Sequence, residues 1–115
     1  MTKVQTAYRY EIERFRLARN GGDVALAWRF LERAHILSQT VLRLHLHVHA
    51  IMFVFAISHR EWREAWGQVF RLLLAPLGSL LRRIPLGNTG RAAVSAFIPM
   101  PIPEDLQRIM DDGRT

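Results

Sequence analysis

Apolar residues recur every three or four positions along most of this chain, the spacing that is typical of amphipathic helices. Residues 4–19 place Val4, Tyr8, Ile12, Phe15 and Ala18 on one face, together with Glu11. The sequence Asn20-Gly21-Gly22 ends this predicted helix, because glycine readily adopts the left-handed conformation found at helix ends. Asp23 can cap a second helix, whose apolar residues are Val24, Ala27, Leu31 and Ala34. Ser38-Gln39-Thr40 is the predicted turn after it.

A third helix is predicted from Val41 to Ser58. It carries a single charge, Arg43, and should be the most buried element. Its uninterrupted apolar run, residues 50–57, covers eight residues, whereas about twenty are needed to span a bilayer. No membrane span is therefore predicted. The competing interpretation is a β-hairpin over residues 41–49.

The fourth predicted helix covers residues 61–81, and Pro76 should kink or end it. We expect Trp62, Ala65, Trp66, Val69 and Leu73 to face inward, and Glu61, Glu64, Gln68 and Arg71 to face outward. Beyond Arg83 come a glycine-containing turn and a proline-rich stretch, then a short helix over residues 104–110. The prediction is an all-α fold in one domain, residues 1–115, with a helical core at 4–83 and a C-terminal arm at 84–115.

A weak internal repeat relates the second and fourth helices. Asp23-Val24…Ala27-Trp28…Leu31 recurs 38 positions later as Glu61-Trp62…Ala65-Trp66…Val69. Each copy forms the second helix of an antiparallel hairpin, as in a degenerate tetratricopeptide-like pair. The first four helices should therefore form two antiparallel hairpins in one compact unit.

Composition narrows the possible chemistry. The 115 residues include no cysteine, which excludes disulfides, thiolate metal ligands and thiol nucleophiles. The N-terminus lacks the apolar segment of a secretory signal, so a cytoplasmic location is predicted. The formal net charge is +6, and all but one of the sixteen basic residues are arginines. Because these arginines are spread along the chain, a solvated surface is favoured over a nucleic-acid interface.

The histidines are the clearest chemical signal, since four of the five lie between His35 and His49. Imidazole is the commonest metal ligand in proteins. If residues 45–49 formed a strand, His45, His47 and His49 would share one face. On a helix, His45 and His49 share a face at i and i+4, and His47 points away. His47 and His59 are expected at the surface or in a turn.

Folding the second and third helices about the turn near Gln39 brings four side chains together. His35 should face His45, while Glu32 and His49 each lie one turn deeper. Glu32, His35, His45 and His49 are thus the predicted ligands of a divalent transition metal, which could be zinc, copper, nickel or iron. Glu11 is predicted to supply a further carboxylate or to hydrogen-bond a ligand, and Gln39 is predicted to hydrogen-bond a ligand. Metal affinity should fall as the pH drops through about 6.5, the ordinary pKa of histidine. The alternative is that these histidines are purely structural.

Several segments together resemble a family of small bacterial proteins, the domain of unknown function numbered 3703. They are residues 31–39 (LERAHILSQ), His45 with His49, Gly67-Gln68, residues 85–90 (PLGNTG) and residues 99–103 (PMPIP). The resemblance covers nearly the whole chain and implies a stand-alone protein of about this size. It places His35, His45 and His49 within the recognisable segments of the family, and it implies no known activity.

Two functions follow from these observations. The first is a small metal-binding protein used in sensing, buffering or delivery. No residue is predicted to be catalytic, because no nucleophile, acid–base pair or substrate pocket is recognisable. The second is a tetratricopeptide-like module that binds a protein partner or another copy of the chain. Its apolar arm residues, Phe97, Ile98, Met100 and Ile102, would need cover.

Overall fold

The computed structural model describes residues 2–81, 91 and 99–112, and these form five helices. The helices are α1 (Lys3–Asn20), α2 (Val24–Ser38), α3 (Leu42–Ser58), α4 (Trp62–Leu81) and α5 (Glu104–Asp112). The all-α prediction is confirmed. Residues 42–58 are one continuous helix, so the β-hairpin interpretation of residues 41–49 is wrong. Pro76 lies inside α4 and does not end it.

Local sequence signals explain where the first two helices begin. Thr2 and Gln5 form a reciprocal capping box, in which each side chain accepts a hydrogen bond from the backbone N–H of the other residue. The carboxylate of Asp23 accepts a hydrogen bond from the backbone N–H of Leu26, at 3.1 Å. These contacts fix the first helical turns of α1 and α2.

The helices pack as two pairs, α1 with α2 and α3 with α4, and the contact between α2 and α3 joins the pairs. The main core lies among the first three helices, where Phe55 meets Phe15 and Trp28 edge-on with ring centroids 5.1 Å apart. From α5, Leu106 and Met110 pack against Ile36 and other apolar residues near the end of α2. Because Trp28 near the start of α2 meets Phe55 near the end of α3, the C-terminal half of α2 lies beside the N-terminal half of α3.

The internal repeat also appears in the turns that precede α2 and α4. Gly22 has φ of 80° and Arg60, 38 positions later, has φ of 57°. The residue after each one donates its backbone N–H to the carbonyl five residues earlier, namely Asp23 to Ala18 and Glu61 to Ala56. The two hairpins therefore share the same helix-ending turn, although only the first copy has the glycine that this conformation favours.

The orientation predicted for α4 is wrong for most of its residues. Trp62, Trp66 and Leu73 were expected inside but are 56%, 73% and 75% exposed, whereas Glu64, Gln68 and Arg71 are buried. Ala65 is buried as expected. The physical reason lies on α3, which directs His49 towards α4 and requires a polar partner there.

The C-terminal arm lies partly outside the described residues, and Phe97 and Ile98 fall in that part. Met100 and Ile102 are half-buried, and Ile102 packs with Ile36, Leu37 and α5. The short last helix is confirmed at Glu104–Asp112. None of the described helices has the length and apolarity that crossing a membrane requires.

Candidate metal centre

Three buried histidines meet between α2 and α3. The Nε2 atom of His45 lies 3.2 Å from Nε2 of His35 and 3.0 Å from Nε2 of His49. The three rings pack with centroids 4.7–5.0 Å apart. One nitrogen from each residue can be chosen so that all three lie within 4.8 Å of one another. Among the described residues, these three histidines form the group that could hold a metal ion.

Helix geometry accounts for this meeting. His35 lies in the last turn of α2, and His45 and His49 lie one turn apart on α3, so the short turn at Gln39 and Thr40 brings them face to face. His47 points to the other side of α3, where its Nδ1 atom is 2.7 Å from the hydroxyl of Tyr8. His59 is exposed at the end of α3. Both are outside the cluster, as the spacing predicts.

Gln68 fixes the position of the proton on His49. The Nδ1 atom of His49 is 2.6 Å from Oε1 of Gln68, an atom that can only accept a hydrogen bond, so Nδ1 carries the proton and donates it. The amide of Gln68 cannot flip without losing a bond, because its Nε2 donates to Glu64 at 2.8 Å. Neutral His49 therefore directs the lone pair of its Nε2 atom into the cluster.

The chain of contacts continues outward to the C-terminal arm. Arg91 donates from Nε to Oε1 of Glu64, and its guanidinium lies 3.9 Å from the centroid of the Trp28 ring. Trp28 in turn donates its indole N–H to Glu61 at 2.9 Å. An arm residue thus reaches His49 through Glu64 and Gln68. A metal-binding histidine is oriented by a hydrogen bond from the ring nitrogen that does not bind the metal.

Sequence reasoning did not assign Gln68, Glu64 and Arg91 to the site. The sequence feature that could have identified two of them is the polar face of the fourth helix, which contains both Glu64 and Gln68. A buried histidine cluster needs polar neighbours, and that face could supply them. The aromatic residues on the opposite face led to the wrong orientation. Nothing in the sequence around Arg91 indicated which carboxylate it would reach.

Burial keeps two of the histidines neutral. It lowers the pKa of His45 to about 4, and it lowers the pKa of His49 to about 3, with a further contribution from neighbouring His45. A charged imidazolium is disfavoured where water is excluded. The expectation that the ligands titrate near pH 6.5 is therefore wrong for these two, which remain available for coordination at lower pH.

The spacing of the nitrogens suits a first-row transition metal. Ligand nitrogens at about 2.05 Å from a tetrahedral zinc ion lie about 3.3 Å from one another. The two separations from His45, 3.2 Å and 3.0 Å, differ from that value by a few tenths of an ångström, and one nitrogen of each histidine lies within 4.8 Å of the other two. Three protein ligands leave a fourth position for water or an exchanging ligand.

The other predicted site residues lie outside this group. Glu32 is half-buried, and burial raises its pKa while Arg91 opposes that shift. Glu11 is buried and accepts a hydrogen bond from Arg33 at 3.1 Å. Gln39 is buried in the turn beside α2. The structure brings together His35, His45 and His49 from the predicted set and does not place Glu32 among them.

The fold and site define an all-α protein of paired helices with three histidines facing one another at the junction of the pairs. Over residues 2–110 the chain matches the family described as "Protein of unknown function (DUF3703)". The chain belongs to this family, which confirms the resemblance noted from its motifs. No curated protein and no solved structure matches the chain.

Proposed function

We propose that this protein binds one divalent transition metal ion through Nε2 of His35, His45 and His49. The observation that carries the proposal is the convergence of three buried imidazole nitrogens, with the lone pair of His49 directed inward by Gln68. Imidazole ligands suit zinc, copper, nickel and iron. Glu11 and Gln39 stay in the proposal as supporting polar residues near the two ligand helices.

The Nε2 atoms of the three histidines compete for protons when no metal is bound. His49 contributes a lone pair, so its contact with His45 needs a proton on Nε2 of His45. That same proton cannot also complete a good bond to His35, and a second proton on His35 would point at the first. His45 Nδ1 is also buried without a hydrogen-bond partner. A metal ion would accept all three Nε2 lone pairs and remove the competition among these nitrogens, and Nδ1 of His45 would then carry the proton.

Sensing, buffering or delivery fits this site better than catalysis. No other histidine lies in the group, and the carboxylate of Glu64 is engaged by Gln68 and Arg91. An open fourth position would allow a ligand from a metal donor or acceptor to enter during transfer. The absence of cysteine suits a reducing compartment such as the cytoplasm, which we propose as the setting for this role.

Calorimetric titration of metal-free protein with zinc, copper, nickel and iron tests the proposal. We expect one binding site for at least one of these ions. His45→Ala and His49→Ala should each remove most of the binding, and His59→Ala, at an exposed histidine outside the cluster, should retain it. Equal binding by the wild type and the His45→Ala/His49→Ala double variant would refute the proposal.

The alternative to an open fourth position is that Glu32 supplies the fourth ligand. Its side chain would have to turn towards His35, which lies one helical turn away. The same titration decides its role. Glu32→Gln should weaken binding about tenfold if the carboxylate joins the metal. An unchanged affinity would leave the fourth position to water or another exchanging ligand and remove Glu32 from the set.

A groove between α1 and α3 supports a second candidate function, the binding of a protein partner. One part, of about 840 Å³, is lined by Arg9, Arg16 and Arg43 together with Tyr8 and other residues. Glu13, the acidic residue in that lining, is already paired with Arg16 at 2.5 Å. We propose an acidic peptide segment as the ligand. Arg9→Glu with Arg43→Glu should abolish peptide binding, and Arg108→Glu on α5 should not.

A further inference from the structure

Helix α4 buries its polar face and exposes its apolar face. Glu64, Gln68 and Arg71 are directed inward, whereas Trp62, Trp66, Phe70 and Leu73 are 56%, 73%, 52% and 75% exposed. These four residues, called here the outer stripe, are spaced by four, four and three positions. At about 100° per residue they fall within an arc of about 80° on one side of the helix. A surface helix normally buries its apolar face and exposes its polar face, so α4 has the opposite arrangement.

The outer stripe is large for a surface left in water. Aromatic side chains present about 150–250 Å² each, so the exposed parts of the four residues amount to about 500 Å². Patches of this size on a monomer commonly mark an interaction site. Tryptophan is also enriched among the residues that dominate interface energetics. The composition and area of the stripe both indicate an interface.

The described parts of the C-terminal arm lie on other surfaces. Arg91 contacts Glu64 and Trp28, on the inner side of α4. Ile102 and α5 pack against Ile36 and Leu37 of α2. Neither of these described anchors lies over the outer stripe.

We infer that a second copy of this chain covers the outer stripe and that the protein is a two-fold symmetric dimer. Two stripes meeting face to face would bury about 1,000 Å² in total, which reaches the lower limit for a specific interface. A two-fold axis near residues 67 and 68 makes the helices antiparallel. Trp62 then packs against the partner's Leu73, and Trp66 packs against the partner's Phe70.

Charge favours the antiparallel arrangement over a parallel one. Arg63 is exposed beside the stripe. In parallel helices, Arg63 and the partner's Arg63 would lie side by side and repel each other. In antiparallel helices they are separated by about 13 Å along the axis, at 1.5 Å per residue, which exceeds the screening length of about 8 Å at physiological ionic strength.

Sedimentation equilibrium on the full-length protein tests the dimer. At about 100 μM, wild type should have twice the 13.3 kDa chain mass. Trp66→Glu with Phe70→Glu should give a monomer with unchanged helical circular dichroism, because both side chains are exposed within one chain. The control is Leu17→Glu, an apolar α1 residue that is 70% exposed, and it should stay dimeric.

Two results would overturn the inference. One is a wild-type monomer, including a monomer that binds phosphatidylglycerol vesicles through the stripe instead. The other is a Trp66→Glu/Phe70→Glu variant that remains dimeric.

Single cysteines give an independent test of orientation, because the natural chain has none. A mixture of Trp62→Cys and Leu73→Cys chains should form mixed disulfide dimers on mild oxidation. Trp62→Cys alone should not, because in the antiparallel pair its two copies lie about 16 Å apart along the axis. Efficient self-crosslinking of Trp62→Cys would exclude the antiparallel dimer.

Discussion

The side-chain amide of Gln68 and the imidazole of His49 meet at 2.6 Å between Oε1 and Nδ1. This one contact fixes which nitrogen of His49 is protonated, and so determines that its Nε2 lone pair faces His45. It also links the three-histidine cluster to Glu64 and Arg91. The orientation of a candidate ligand on α3 thus depends on polar residues of α4 and on the C-terminal arm.

Replacing Gln68 with leucine should weaken metal binding without removing a ligand. The side chain keeps a similar volume but no longer accepts the proton of His49, so the ring loses its fixed orientation. Loss of such a supporting hydrogen bond typically lowers metal affinity about 10- to 100-fold. Calorimetric titration of Gln68→Leu measures the effect.

The matched control is Gln107→Leu on α5, where the side-chain amide donates a hydrogen bond to the exposed carboxylate of Asp111 at 2.8 Å. Its metal affinity should equal that of wild type. If Gln68→Leu also binds metal with wild-type affinity, the contact with His49 does not orient a ligand.

Much of the helical architecture followed from apolar periodicity and from glycine or capping residues. The predicted bounds of α1 to α4 differ from the observed ones by about one residue, because Gly21-Gly22, Asp23 and the Gln39–Thr40 turn mark the ends. Helical spacing also predicted that His35, His45 and His49 would meet while His47 would point away. Glu32 was predicted from the same geometry but lies outside the group, since spacing places a residue on a helix without fixing its side-chain direction.

The side of α4 that faces inward was not predictable from its own periodicity. A helical pattern shows that Trp62, Trp66 and Phe70 share a face, and it does not show whether that face meets the core or another molecule. The deciding factor is the need of buried His49 for a polar partner, which arises only when α3 and α4 are packed together. The contact between Arg91 and Glu64 was not predictable either, because it depends on the three-dimensional path of the C-terminal arm.

Metal-free protein should lose stability as the pH falls from about 6.5 to 4.5. His45 and His49 have folded-state pKa values of about 4 and about 3, whereas the unfolded chain binds protons near pH 6.5. The unfolded state therefore binds more protons in this window, and the free energy of unfolding falls by up to about 1.4 kcal/mol per pH unit for each histidine. Urea denaturation at several pH values measures the slope.

His49→Gln should reduce that slope. Burial raises the pKa of Glu11 and Glu32, so these two groups change the free energy of unfolding in the opposite direction as the pH falls. The difference in slope between wild type and His49→Gln isolates the contribution of His49. Identical slopes for these two proteins would show that His49 does not titrate as described.

Arg33 should be important because it joins three helices. It donates to Glu11 on α1 at 3.1 Å and also to Asp105 on α5. Arg33→Met leaves the buried Glu11 carboxylate without this partner and should lower the free energy of unfolding by about 2–3 kcal/mol. Adding Glu11→Met should recover most of the loss, because the buried charge is then gone. Arg108→Met serves as the control, and equal stability of Arg33→Met and wild type would contradict this role.

Arg60→Gly should stabilise the protein by about 1 kcal/mol. Arg60 has φ of 57°, a conformation that costs a residue with a Cβ atom about 1–2 kcal/mol relative to glycine. The reciprocal change, Gly22→Ala, should destabilise the protein by a similar amount. The cost comes from the positive φ of residue 22 and not from a steric clash, because no atom lies within 4 Å of the added Cβ. Thermal unfolding followed by circular dichroism should give melting temperatures shifted in opposite directions. Shifts of the same sign would exclude this explanation.

Metal content by mass spectrometry is the most direct test of the three-histidine site. The protein should be purified without a histidine tag or chelator, beside His49→Ala and His59→Ala prepared identically. We expect wild type and His59→Ala to carry about one transition metal ion per chain, and His49→Ala to carry almost none. A wild-type protein that carries no metal and acquires none on incubation with zinc, copper, nickel or iron, or equal content in all three proteins, would contradict the account.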